Sequence, residues 1–103
     1  MSKIAVIAKI TCKEGMRDEA LVQFKAHVEY VAAEDGTLIY ALNVDSKDDV
    51  TIWFYELYRD QEALKAHSGA DAMKAMGPKL AACMAGRPEI SILTPVGAKG
   101  IDA

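Results

Sequence analysis

Apolar and polar residues alternate with two different periods along this chain, and the switches between them predict its elements. Residues 3–12 alternate every second position, with Ile4, Val6, Ala8, Ile10 and Cys12 on one face and Ala5, Ile7, Lys9 and Thr11 on the other, the period of a strand. Lys13-Glu14-Gly15 breaks it. From Met16 to about Glu34 the spacing becomes helical: Leu21, Phe24, Val28 and Val31 form a stripe flanked by Ala20 and His27. Asp18 and Glu19 suit the positive end of that helix, and Gly36 is expected to terminate it. A second strand follows over 37–45, with Leu38, Tyr40, Leu42 and Val44 facing one way and Ile39 and Ala41 the other. After the polar turn Ser46-Lys47-Asp48-Asp49, a third strand covers 50–59, the most β-prone stretch of the chain. Its even face reads Val50, Ile52, Phe54, Glu56, Tyr58 and its odd face Thr51, Trp53, Tyr55, Leu57, Arg59. Asp60 is placed to cap a helix through Ala63, Leu64 and His67, which Ser68-Gly69-Ala70 interrupts. A further helical run carries Met73, Met76, Leu80, Cys83 and Met84, kinked at Gly77-Pro78. Gly86-Arg87-Pro88 closes it before a fourth strand over 89–95.

The order β-α-β-β-α-β predicts an α+β, ferredoxin-like fold, with a four-stranded antiparallel sheet covered on one face by helices. Such a sheet should be apolar toward the helices and polar on its free face. The second face instead shows Ile7, Ile39, Ala41, Trp53, Tyr55 and Leu57. Each aromatic side chain buries ~150–250 Å², whereas apolar patches on monomers seldom exceed ~300–600 Å². The pattern therefore predicts a homodimer about a two-fold axis, sheet against sheet through Trp53, Tyr55, Leu57 and Ile39: a dimeric α+β barrel. Composition agrees with this, because 51% of the 103 residues are hydrophobic and a domain of this size buries only ~60–70% of its unfolded surface. One domain over 1–96 and a loose tail over 97–103 account for the whole chain.

Charge and cysteine usage narrow the function classes. Twelve basic residues stand singly among fifteen acidic ones, for a net charge of −3, so no nucleic-acid partner is expected. No apolar run approaches the ~20 residues of a membrane span, and the N-terminus lacks the pattern of a signal peptide. A cytoplasmic protein with Cys12 and Cys83 as free, buried thiols is the expectation. The cysteines share no metal-type spacing, and neither phosphate loops nor dinucleotide, zinc-hydrolase or serine-hydrolase motifs occur, so no cofactor and no metal is expected.

Glu56 is the anomaly of the third strand, a carboxylate in phase with Ile52 and Phe54. Such a group must find a hydrogen-bonding partner or take up a raised pKa. It is either a satisfied structural acid or a polar anchor in a cavity between sheet and helices. His67, at the end of the helix begun by Asp60, is a candidate acid-base group that could work with Glu56; His27 is a weaker one. Tyr58 and Tyr40 share the even face with Phe54 and could line the same cavity. The methionines could fill core gaps or adapt to a flat apolar ligand.

Three segments resemble one family. Glu34-Asp35-Gly36-Thr37-Leu38-Ile39-Tyr40 is similar to the E-x-G-x-x-x-Y segment of the antibiotic biosynthesis monooxygenase domain. Residues 52–60, followed by Ala63-Leu64-Lys65-Ala66-His67, resemble its strand-helix signature, and 87–96 resemble its last strand. The resemblance implies a ferredoxin-like dimeric barrel. It further implies metal- and flavin-free oxidation of a small phenolic, quinol or polyketide-like aromatic substrate by O2, with His67 and Glu56 catalytic and Tyr58, Phe54 and Tyr40 against the substrate. In such chemistry the phenolate itself activates oxygen, and the protein desolvates, orients and deprotonates it. Two alternatives stay open: a non-oxidative, isomerase-type acid-base enzyme on a small carbonyl compound, and a non-catalytic ligand-binding stress-response dimer.

Overall fold

A computed structural model of the chain describes residues 2–102; Met1 and Ala103, the outer ends of the domain and tail expected from sequence, lie outside the described residues. The elements are β1 (Ile4–Thr11), α1 (Arg17–Val31), β2 (Thr37–Val44), β3 (Thr51–Tyr58), α2 (Gln61–Ser68), α3 (Asp71–Leu80) and β4 (Glu89–Leu93). The strands form one antiparallel sheet in the order β2-β3-β1-β4. This is the ferredoxin-like α+β fold expected from the element order.

The even positions of β1 and β3 turn toward the helices. Ala8, Ile10, Cys12, Ile52 and Phe54 pack with Ala20 and Phe24 of α1 and with Leu80 and Cys83 into the main core. Phe24 meets Phe54 edge to face, with ring centroids 5.1 Å apart, a geometry worth about 0.5–1.5 kcal/mol beyond the area it buries. The buried face of α1 is Ala20, Phe24, His27 and Val31, so the helix is rotated relative to the expected stripe. Leu21 and Val28 are only partly buried and His27 lies inside.

Four local expectations are corrected. Leu38 falls at a register shift between Thr37 and Ile39 and is 44% exposed, because the bulge takes it out of phase with Tyr40 and Leu42. Gly36 does not cap α1, which ends at Val31; its place is against α2, where a Cβ would come 2.5 Å from the Cβ of Ala63. α3 runs through Pro78, whose missing N–H leaves Lys74 O without its helical partner, and stops at Leu80, with Ala81 N donating to Gly77 O as its cap. Cys83 and Met84 are therefore not helical. The segment pairs with the end of β1 instead, Lys13 N donating to Cys83 O at 2.7 Å and Ala85 N to Thr11 O at 2.9 Å. Fourth, β4 ends at Leu93.

On the sheet face away from the helices, Ile39, Trp53 and Tyr55 are half-buried and Ile7 is 36% exposed. Trp53 Nε1 donates to Asp45 Oδ2 at 2.8 Å, and the Lys9 ammonium lies 5.7 Å from the indole centroid. Leu57, expected on the partner surface, is only 1% exposed within a single chain. It therefore has almost no area left to give a second copy. Among the described residues no helix is long and apolar enough to cross a membrane.

Candidate active site

Two cross-strand rows form the floor of the site. Tyr40, Glu56, Val6 and Ile92 lie side by side across β2, β3, β1 and β4, and Leu42, Phe54, Ala8 and Ile90 form the next row. α2 packs on β2 and β3, whereas α3 leans on α1. Small side chains on β1 and the absence of a close-packed helix above β4 leave space there, and Ile90 and Ile92 remain 62% and 66% exposed on the helix side. The result is a cavity of about 730 Å³ between sheet and helices. Tyr40, Phe54, Glu56 and His67 line it, with Met73, Met76, Leu80 and Met84 as a deformable wall and Arg87, Pro88, Ile90 and Ile92 toward β4.

His67 reaches the cavity because Asp60 fixes the start of α2. The Asp60 carboxylate accepts from Ala63 N at 2.9 Å, the expected cap, and one turn further on His67 points inward at 3% exposure. Its Nδ1 lies 2.8 Å from Glu34 Oε1, an oxygen that also accepts from Thr37 Oγ1 at 2.7 Å. A carboxylate oxygen accepts, so Nδ1 carries the proton in this pairing, and in the neutral imidazole Nε2 is the nitrogen with the lone pair. Nε2 has no protein partner among the described residues. This is the arrangement of an oriented base: a carboxylate fixes the imidazole's tautomer and leaves the other nitrogen available.

Glu56 does not pair with His67; its partner is Tyr58, whose hydroxyl donates to Oε1 at 2.5 Å. Burial pushes the Glu56 carboxyl above its ordinary range, against opposing contributions from the Tyr58 hydrogen bond and nearby His67. Tyr58 itself is fully buried and stands outside the cavity lining. It is a support for Glu56 rather than a surface for ligand, because β3 ends there beneath Ala63 and Leu64. Burial also raises the hydroxyl pKa of Tyr40 and of Tyr58, first by desolvation and then through Glu56, so both remain phenols. The Tyr40 ring lies 4.8 Å from Phe54 and 5.1 Å from His67, centroid to centroid, which gives a flat ligand aromatic walls on two sides.

Behind this group sits His27, buried, with its ring 5.7 Å from Tyr40 and 5.8 Å from His67. Desolvation, then His67, lowers its pKa. Its Nε2 is buried and has no partner among the described residues. A separate space of about 170 Å³ between α1 and α3, bordered by His27, Gln23, Tyr30 and Lys79, adjoins it, more than the ~30 Å³ share of one water molecule. No group of three His, Cys, Asp or Glu side chains able to hold a metal ion occurs among the described residues.

Structure thus brings together four of the five residues expected from sequence, His67, Glu56, Phe54 and Tyr40, around one cavity. Glu34 and Arg87 were missed as site residues. Glu34 lies in the α1–β2 connection, where hydrophobic alternation carries no signal; its only trace was its place in the E-x-G-x-x-x-Y segment. The sequence profile of the antibiotic biosynthesis monooxygenase family matches residues 3–79. The chain belongs to that family.

Solved structures place it in the same group. A Caulobacter crescentus protein, provisionally named an antibiotic biosynthesis monooxygenase, superposes with a TM-score of 0.88 at 32% identity, over 93% of this chain and 92% of the other. A Chloroflexus aurantiacus protein, provisionally named likewise, gives 0.80 at 27% identity over 98% and 100%. A Pseudomonas aeruginosa protein gives 0.87 at 25% identity over 94% and 97%. A comparison with curated protein sequences finds no match. Within the family match lie Glu34, Tyr40, Phe54, Glu56 and His67, whereas Arg87 and β4 fall beyond residue 79.

Proposed function

We propose that this family member is a cofactor-independent monooxygenase that oxidises a small phenolic or quinol substrate with O2. The observation that carries this reading is the imidazole of His67, held by Glu34 through Nδ1 on the wall of an apolar, aromatic-lined cavity of about 730 Å³. A neutral phenol enters such a cavity readily, and proton transfer to His67 Nε2 leaves a phenolate in surroundings that hydrate it poorly. The electron-rich ring then passes an electron to O2, and the two partners join through a C–O bond at a ring carbon bearing hydrogen. Loss of that hydrogen with the distal oxygen as water leaves a carbonyl. One atom of O2 stays in the product, the other becomes water, and the substrate has given up four electrons. His67 returns its proton in the second step. Glu56, steadied by Tyr58, orients a second substrate oxygen, and Tyr40 and Phe54 hold the ring plane.

In this reading the working unit is two copies joined by the sheet faces carrying Ile7, Ile39, Trp53 and Tyr55. The test is oxygen uptake by purified protein given a simple hydroquinone under labelled O2. The expected result is one O2 consumed per quinol and one labelled atom in the product, with His67→Asn reducing the rate at least about a hundredfold, as loss of a general base does. Unlabelled product, or equal turnover of a carbonyl substrate under strict anaerobiosis, would contradict the oxidation and favour isomerase-type chemistry.

A further inference from the structure

Besides Tyr40, Glu56 and His67 at the reacting end, the cavity lining contains, among the described residues, one ionisable side chain, Arg87. The chain has three arginines. Arg17 lies 4.0 Å from an Asp48 carboxylate oxygen and donates to Asp48 O at 2.8 Å, and Arg59 pairs with Asp60 at 3.4 Å. Arg87 has neither an ion pair nor a side-chain hydrogen bond among the described residues. It stands between Gly86 and Pro88 just before β4, and the proline restricts the backbone on which it is carried. β4 is two strands away from β3, and Arg87 precedes Ile92, the β4 residue in the Glu56 row, by five positions, so its backbone stands about 10 Å across the sheet and about 17 Å along it from Glu56, a span that the long arginine side chain shortens.

We infer that the substrate is an aromatic acid, bound with its phenolic ring at His67 and a carboxylate at Arg87. This deepens the function proposed above, on which its phenolic end rests. The charges give the orientation. Glu34 and Glu56 stand at the reacting end, where a substrate carboxylate would be crowded beside two other carboxyl groups, and Arg87 stands at the other. Between them the walls are Ala8, Met76, Leu80, Ile90 and Ile92, which suit an apolar spacer. A guanidinium takes a carboxylate through two parallel hydrogen bonds. With no second cation in the lining, one negative charge is what the site balances.

The test uses 3-(2,5-dihydroxyphenyl)propanoate and its methyl ester, bound anaerobically to the full chain and followed by titration calorimetry. The acid should bind about three- to fivefold more tightly than the ester, a gain that fits a charge-assisted pair on the exposed Arg87 and shrinks with added salt. Arg87→Gln should remove the difference by weakening the acid alone, and Arg87→Lys should restore part of it. Equal binding of acid and ester by the wild type, an acid preference that survives in Arg87→Gln, or no binding of either compound would overturn the inference. Oxygen uptake with the ester, read on the same preparations, separates the two proposals. Acid preference without uptake supports the Arg87 site and removes the oxidation; uptake without acid preference does the reverse.

Discussion

A carboxylate set among Ile52, Phe54 and Tyr58 loses most of its hydration, and the fold answers with one short hydrogen bond from Tyr58. That bond does not offset the desolvation, so the Glu56 pKa stays above its ordinary 4.5. The folded chain then keeps the Glu56 proton at pH values where the unfolded chain has released it. Its contribution to stability is therefore complete below about pH 4.5 and declines as pH rises toward the raised value. Glu56→Gln keeps an acceptor for Tyr58 and cannot ionise. Thermal melts should show the variant level with the wild type at pH 4 and more stable at pH 8. His27, with its lowered pKa, gives the opposite slope below about pH 6.5, but it is common to both proteins and cancels in the difference. Glu56 and His67 were legible from sequence because a polar group breaking an apolar rhythm is visible in the rhythm itself. Their partners were not: His67 pairs with Glu34, 33 residues away in a connection, and period-two alternation says nothing about which loop side chain reaches into a site.

The helices α1 and α2 and the strand β3 hold these residues in register, and their junctions are where the chain tolerates least. Gly36 lies against Ala63 so closely that Gly36→Ala drives a Cβ into the first turn of α2. Urea unfolding should show a loss of about 1–3 kcal/mol, the usual cost of overpacking, and activity should fall with it because α2 carries His67. Asp60→Ala removes the cap of the same helix and should cost about 1 kcal/mol. Most elements were readable from their periods, including the break between α2 and α3 at Gly69-Ala70. The errors were those that local pattern cannot resolve. A single-residue bulge removed Leu38 from the core, and Cys83 and Met84, apolar at helical spacing, were claimed by pairing with β1 instead.

At the scale of the molecule, the helix-free sheet face still presents Ile7, Ile39, Trp53 and Tyr55 after Leu57 is accounted for within the chain. If two copies join through it, sedimentation should give twice the 11.1 kDa chain mass. Tyr55→Glu should halve that mass with the far-ultraviolet spectrum retained, whereas a wild-type chain sedimenting at its own mass would contradict the pairing. Sheet-to-sheet contact leaves the cavity on the other face, so each copy would carry a complete set of Glu34, Glu56 and His67. The central claim is that this set deprotonates a bound phenol, and it can be read without oxygen. Anaerobic titration of the protein with a hydroquinone, followed in the ultraviolet, should reveal the phenolate band at a pH where the free compound is neutral, and His67→Asn should bind the compound with no such band. A neutral phenol bound to the wild type, or a phenolate band that persists in His67→Asn, would contradict the account.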